Sequence, residues 1–421
     1  MSATGLGAKV IVPLGGYKAW LVCLAAGLFF FYEFFQLNVF DVINQLLRTD
    51  FQLNATKLSL LSSIYLWADL AFLIPAGILL DYYSTRAVVL SSLFICIVGI
   101  IGFALTSSFF LAAFFRFLSG IGNAFCFLAC VLLILRWFPR HRQALMIGLV
   151  VTMAFLGGMA AHTPFAYLNE YLGWRRSLLL DGLVGVFLWV AIYQVMQDQP
   201  DGKYITHKNV DRSLKFLQVL VNCQTWLAGL YTTFLNLPIM VLCALWGASY
   251  LQAVYKLSAV TASNVVNLLF IGSIVGCPLV GWLSDLHSRR KPLMIIGALT
   301  TLITLMPFFL GFNLTVGMLS ILFFALGLFT STQVISYPLI AESNSLKNTG
   351  AATGLASMLI MCGAAIGQIL FGILMQKHAG TEKIYTVADF QYALWMFPLA
   401  TILALIASLL LRETFCVNDN R

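Results

Sequence analysis

Five ionisable residues fall inside long apolar stretches of this chain: Glu33, Asp69, Arg116, His162 and Asp181. A charge in hydrocarbon costs about 2.5–3.5 kcal/mol on insertion scales, so each must find a partner or serve a purpose. Glu33 lies in LFFFYEFFQLNVF (28–40), among six phenylalanines, with Gln36 and Asn38 just beyond it. A carboxylate there is suited to binding and releasing a proton, while Arg116 offers a planar fork that docks an anionic group. Burial and a nearby arginine act on Glu33 in opposite directions, and an arriving anion shifts the balance between them. The plainer alternative is a structural pair in which arginine and carboxylate neutralise each other. Asp69 is the rival proton-coupling residue. Asp181 is expected to pair with Arg175 or Arg176 near the outer surface, where an ion pair is worth little. His162, beside Thr163 and Pro164, titrates near neutral pH in principle, and its plainer role is hydrogen-bonded packing.

The elements that position these residues follow from composition. Of 421 residues, 61% are hydrophobic and only 10% charged, far below the roughly 25% charged of a soluble domain. Apolar runs of about 20 residues recur, the length a helix needs to cross roughly 30 Å of hydrocarbon. They lack the alternation of a barrel strand, and backbone groups in lipid must be satisfied internally, so helices are expected. Twelve spans are expected, at 17–41, 58–80, 87–107, 109–135, 144–168, 175–196, 222–250, 258–284, 293–312, 314–340, 350–376 and 389–411. The longest polar interruption lies within 197–221 and reads as a cytoplasmic linker between six-helix bundles at 1–196 and 222–421. Basic residues are about twice as frequent in the loops on the side of the termini, which places both termini in the cytoplasm. The first apolar run is too long for a cleavable signal peptide and lacks its small-residue cleavage site.

Rise per residue of about 1.5 Å puts Glu33 roughly 12 Å below the outer end of its helix. The same arithmetic puts Arg116 and Asp181 at roughly 10 Å, and Asp69 near mid-membrane. Glu33 and Arg116 therefore share a layer if their helices face each other. Spans 7 to 12 hold no charged residue in their apolar cores, so charge handling is assigned to the amino-terminal half. The nine cysteines lie mostly in apolar runs without metal-ligand spacing, and the net charge of +8 fits basic cytoplasmic loops rather than nucleic-acid binding. No phosphate-cradling loop is present to serve an ATP-driven pump. The expectation is a non-enzyme without metal or cofactor.

The halves repeat each other. GILLDYYSTR (77–86) ends the second span and GWLSDLHSRR (281–290) the eighth, so Gly77, Asp81 and Arg86 correspond to Gly281, Asp285 and Arg290. Gly148 and Gly157 correspond similarly to Gly354 and Gly363. Parallel repeats about an axis along the membrane normal are a transporter architecture. With RFLSGIGNAF (116–125) and GWRRSLLLDG (173–182), these loops resemble the major facilitator superfamily over essentially the whole chain. They depart from its loop pattern at Tyr82 and Leu286, where the family has arginine, and in lacking its middle glycine. FYEFFQ, LLDYYSTR and RWFPRHRQALMIGLVVTMAFLGGM resemble the phagosomal-transporter branch of intracellular bacteria, neighbouring a group that imports rhizoferrin-type siderophores.

The resemblance implies an all-α membrane protein with two pseudo-symmetric six-helix halves, working by alternating access in the inner membrane. It implies proton-coupled import of an amino acid, hydroxycarboxylate or polycarboxylate siderophore, with membrane lipid as the surroundings and a monomer as the working unit. Glu33 and Asp69 are then the proton-coupling residues, and Asp69 lies on a helix that is peripheral in the family. Arg116, Gln36, Asn236, Trp246, Gln333 and Tyr337 are the substrate-binding candidates, the last four lying on cavity-lining helices where amides and rings suit a polar solute. Gly77, Asp81, Arg86, Gly281, Asp285 and Arg290 are assigned to the cytoplasmic gate. Efflux of amphipathic compounds and a non-transporting receptor or scaffold are the alternatives.

Overall fold

The structure, a computed structural model, describes residues 16–199, 219–309, 314–345, 349–380 and 385–415. Among these residues it is all helix, with no strand. Twelve helical stretches are long and apolar enough to cross a membrane. In chain order the spans are Tyr17–Asp50, Ala55–Leu80, Thr85–Leu105, Phe109–Trp137, Leu145–Leu172, Trp174–Val195, Cys223–Tyr255, Ala259–Leu286, Lys291–Phe308, Val316–Glu342, Ala351–Ala379 and Val387–Leu410. An even number of crossings brings both termini to one side of the bundle, here the terminal face; the opposite side is the distal face. Most of the expected linker, together with Arg140, falls outside the residues whose side chains are described.

Helix boundaries follow local chemistry. Asn54, Ser84, Ser258 and Thr315 each accept a backbone N–H in the first turn of the helix they precede, satisfying donors that have no intrahelical partner. The first span continues to Asp50 rather than ending near 41. Asp41 and Asn44 let it do so, because each finds a buried partner on the seventh span. The fifth span is two helices, Arg140–Ala160 and Thr163–Leu172, broken at His162 ahead of Pro164. Proline is tolerated at such a helix start because its missing N–H would have been unpaired there.

The seventh span departs most from the expected continuous helix. After Pro238 it widens into a π-helical segment, Ile239–Trp246, before resuming at Gly247–Tyr255. Such widening frees backbone groups from the ordinary ladder and is frequent at functional sites. The tenth span tightens instead, with a 3₁₀ segment at Ser331–Ile335.

The repeat is visible in packing. A Cβ on Gly157 of span 5 would fall 2.0 Å from the Phe31 carbonyl oxygen of span 1. Its counterpart Gly363 of span 11 packs in the same way on Thr233 of span 7, where a Cβ would fall 2.1 Å from the side chain. Small residues give helices close approach where lipid offers no hydrophobic drive for association. Gly148 and Gly354, nearer the terminal face, have nothing within 4 Å of an added Cβ. Gly157→Ala should therefore destabilise the protein by about 1–3 kcal/mol through overpacking, with Gly148→Ala within about 0.5 kcal/mol of the parent. Thermal unfolding of the purified full chain in detergent decides this, and equal melting of both variants would contradict the packing argument.

Candidate functional site

Within the amino-terminal half, spans 1, 2, 4 and 6 enclose a buried polar cluster around Glu33. Tyr65 of span 2 donates its hydroxyl to Glu33 Oε2 and to the Glu33 carbonyl, both at 3.0 Å. The R-x-x-x-G-x-G element of span 4 makes room for this. A Cβ on Gly120 would fall 2.3 Å from the Tyr65 carbonyl oxygen, and one on Gly122 would fall 2.2 Å from Glu33 Oε1. Two glycines one residue apart therefore admit the tyrosine backbone and the glutamate carboxylate.

Arg116, one turn before Gly120, joins the cluster from the distal side. Its Nη1 donates to the Gln36 carbonyl at 2.9 Å, and its guanidinium lies over the rings of Phe40 and Tyr65, at 3.9 and 4.5 Å. The expected layer shared by Glu33 and Arg116 is present, but the two are joined through Tyr65 rather than as an ion pair. Tyr65 binds the carboxylate by its hydroxyl and the guanidinium by its face, a cation–π contact. The Nε and Nη2 of Arg116 have no hydrogen-bond partner although the residue is buried. They border a small pocket within the half, lined by Gln36, Phe40, Ile100, Ser119 and Leu178. The fork thus faces the interior of the amino-terminal bundle in this conformation, not the space between the halves.

Other expected site residues are placed differently. Gln36 donates to Asp181 Oδ2 at 2.6 Å and is buried, so its amide is committed within the cluster. Asp181 does not pair with Arg175 or Arg176. Arg175 instead binds Asp50 Oδ2 at 3.0 Å and the carbonyls of Ala104 and Thr106, closer to the distal surface. Asp69 accepts from Asn123 Nδ2 at 2.8 Å. Asn236 is buried, while Gln333 and Tyr337 are partly exposed on span 10. Trp246 is wholly buried and donates to Ser59 Oγ at 3.1 Å, amid the rings of Phe371, Tyr385 and Phe390. It belongs to the seal between the halves and not to a solute-lining wall.

That seal is confined to the distal side. Asp41, absent from the set of intramembrane charges expected from sequence, accepts the Ala248 N–H at 3.0 Å with both oxygens. Asn44 donates to the Leu245 carbonyl at 2.5 Å. His162 places Nε2 2.9 Å from the Cys243 carbonyl, and Thr163 bonds Asn264 and Asn267 of span 8. The Ala55 N–H reaches Tyr385, Thr56 reaches the Gly372 carbonyl, and Arg48 lies over the Tyr385 ring. Among the described residues, every hydrogen bond between the halves lies toward the distal face. A sequence signal for Asp41 existed, in its three-residue spacing from Asn38 and from Asn44 on one helical face. It was hidden because the first span was expected to end there.

On the terminal face, the charge contacts among the described residues run within each half. Arg290 binds Asp285 at 2.6 Å, Ser284 at 2.9 Å and Glu342 of span 10 at 2.9 Å, while its own N–H donates to Glu413 at 2.8 Å. Arg86 donates to the Tyr193 carbonyl at 2.6 Å, and its backbone N–H bonds Asp198 at 2.8 Å. The Asp81 side chain lies outside the described residues. Gly281 has open space where a side chain would go, and Gly77 meets only Leu128 at 3.8 Å.

Twelve spans in two related halves, hydrogen-bonded to each other toward one face among the described residues, define a membrane transporter fold. The family model of the Major Facilitator Superfamily matches residues 22–263 and 240–415. The chain belongs to that superfamily and is a transporter rather than an enzyme. It is 23% identical over 394 residues to a probable hexose phosphate transport protein of Chlamydia muridarum, covering 86% of each chain. It is 24% identical to the membrane sensor protein UhpC of Salmonella typhimurium, covering 67% of this chain and 68% of the relative. Among solved structures, a bacterial homolog of the human lysosomal transporter Spinster superposes with a TM-score of 0.77 at 17% identity, over 93% of this chain and 97% of that one. A D-xylose–proton symporter superposes with a TM-score of 0.74 at 16% identity, over 94% and 98%. These likenesses bear out the fold expected from the sequence.

The Arg290 network yields a stability test. Arg290→Met leaves the largely buried Glu342 without its cation, whereas Asp285 stays in solvent; removing one partner of a buried pair costs at most about 3–5 kcal/mol. Arg290→Lys, which keeps the charge but loses the fork, should lie between. Thermal unfolding of the full chain measures both, and a Met variant that melts like the parent would refute the assignment.

Proposed function

We propose that the protein is a secondary active transporter that imports a small organic anion with protons, by rocking one half against the other. It sits in the cytoplasmic membrane with its terminal face inside. The observation that supports this reading is the one-sided seal: among the described residues the hydrogen bonds between the halves all lie toward the distal face, which fits a state closed on that side and open toward the terminal face. Alternating access requires a second state with that asymmetry reversed. The open sites beside Gly77, Gly148, Gly281 and Gly354 leave room for the halves to meet on the terminal side. The charge networks around Arg86 and Arg290 then meet helix ends of the opposite half as gate elements.

The polar cluster is assigned to coupling. Glu33 carries the proton, with Asp69 as the alternative, and Tyr65 links the charge state of Glu33 to the guanidinium of Arg116. An anion reaching the unpartnered edge of Arg116 requires Tyr65 or Phe40 to move, which gives solute binding a route to Glu33. The substrate class is a solute bearing phosphate or carboxylate, with sugar phosphates first because of the Chlamydia relative, and hydroxycarboxylates, amino acids and siderophores after them. Gln333 and Tyr337 supply neutral contacts. A sensor that binds its solute without moving it is the second reading, favoured by the Salmonella relative.

Reconstituted full-length protein should accumulate at least one of these classes in liposomes when the outside is acidified. Glu33→Gln should lose accumulation by about 10²-fold or more, the scale of removing a positioned proton-transfer group, and retain solute exchange without a proton gradient. Undiminished proton-driven uptake by Glu33→Gln would remove Glu33 from the coupling role. Solute-dependent thermal stabilisation without accumulation of any class would support the sensor.

A further inference from the structure

The buried pair of Asp41 and His162 is not needed to hold the polar cluster around Glu33, yet it stands where the two halves meet. His162 immediately precedes the second helix of span 5 and is wholly buried. Its Nδ1 lies 2.7 Å from the Gly158 carbonyl and its Nε2 lies 2.9 Å from the Cys243 carbonyl across the interface. A neutral imidazole carries one N–H and one lone pair, so it can donate to only one of two carbonyl oxygens. Here both ring nitrogens face acceptors. The geometry is satisfied by the doubly protonated ring, and its counter-ion is in place: Asp41 Oδ2 lies 3.4 Å from Nε2.

Asp41 in turn receives the Ala248 N–H on both oxygens, at the point where span 7 resumes after its π-helical segment. Proton, imidazole, carboxylate and the freed backbone of span 7 form one closed set that joins spans 1 and 5 to span 7. The titratable group beside His162 is Asp41 from span 1, and the Cys243 thiol of span 7 interacts with that same carboxylate. Span 8 presents the Phe270 ring, 5.7 Å from the imidazole centre to centre.

We propose that His162 and Asp41 form a proton-operated latch on the distal gate, closed by a proton on His162 and released when that proton leaves. The proposal rests on the transport reading and deepens it. With the distal gate open, His162 takes a proton from the outer solution. Closing the gate sets the ring between the two carbonyls and beside the carboxylate. Once the ring leaves its buried seat and yields the proton to solvent, a nitrogen lone pair would face a carbonyl oxygen, and the seal cannot re-form in that state. The proton is thus required for the distally sealed state described here and must depart before that seal opens again, the order an importer needs. A second histidine–aspartate pair, His378 and Asp389 at 2.5 Å, lies wholly within the carboxy-terminal half and does not touch the gate.

The test is hydrogen–deuterium exchange of the Ala248 amide across a pH series in the full-length protein in liposomes, normalised to the intrinsic exchange rate at each pH. A gate that keeps one proton more when closed than when open loses protection about tenfold per pH unit over the range where the proton is lost. The wild type and His378→Gln should show this slope, and His162→Gln and Asp41→Asn should be less protected and flat. A flat wild-type profile, or a wild-type slope retained by His162→Gln, overturns the latch. Should neither latch variant fold, the wild-type profile still decides. A flat profile in protein that accumulates solute rejects the latch alone, whereas a sloping profile without uptake of any solute class rejects the transport reading and keeps the latch.

Discussion

Backbone groups in a bilayer have no water to turn to, and the structure is organised around the one place where that constraint is most severe. The π-helical turn at Ile239–Trp246 detaches several N–H and C=O groups from the helix ladder. Side chains from three other spans meet them. Asn44 takes the Leu245 carbonyl, His162 that of Cys243, Gln368 that of Met240 at 2.9 Å, and Asp41 the Ala248 N–H. Three of these four come from spans 1 and 5, in the opposite half. The irregular helix of one half is therefore completed only by the polar residues of the other. That mutual need is what makes the distal seal specific, because apolar surfaces in lipid gain little by choosing each other over the acyl chains.

The same reasoning separates what was legible in the sequence from what was not. Span count, handling of charge near Glu33 and the correspondence of the two Gly-Asp-Arg loops follow from length, hydropathy and spacing, which lipid enforces locally. The partners do not. Asp181 was expected to join Arg175 because both lie near the distal end of one helix, whereas Gln36 of span 1 takes it and Arg175 turns to Asp50. Depth along a helix can be counted from sequence, but which face a residue presents depends on crossing geometry. The π-helical turn was equally out of reach, since IMVLCALW is an ordinary apolar stretch whose widening depends on side chains some 80 to 200 positions earlier in the chain.

Charge is distributed between the halves by function rather than by symmetry. The glycine contacts repeat closely, with Gly157 on span 1 and Gly363 on span 7, so the scaffold is duplicated. The buried acids Glu33, Asp69 and Asp181 lie in the amino-terminal half, as does Arg116. The carboxy-terminal half keeps its main charge network around Arg290, at the terminal-face ends of its spans. Across the distal interface, the amino-terminal half thus contributes Asp41 and His162, while the carboxy-terminal half meets them with backbone groups of span 7.

Span 1 is the element where these roles converge. Glu33 and Asp41 are eight residues apart on it, about 12 Å along the helix, and nearly on one face, since eight residues exceed two turns by less than a quarter of a turn. The inner of the two acids bonds within its own half through Tyr65, and the outer one bonds the opposite half through Ala248. A shift of span 1 that relieves Glu33 of Tyr65 must also strain the hold of Asp41 on span 7, because a helix transmits displacement along its axis without a change in its own hydrogen bonds. Glu33, bonded inside a half, and Asp41, bonded across the interface, thus sit on one rigid helix, so that a displacement at one is felt at the other.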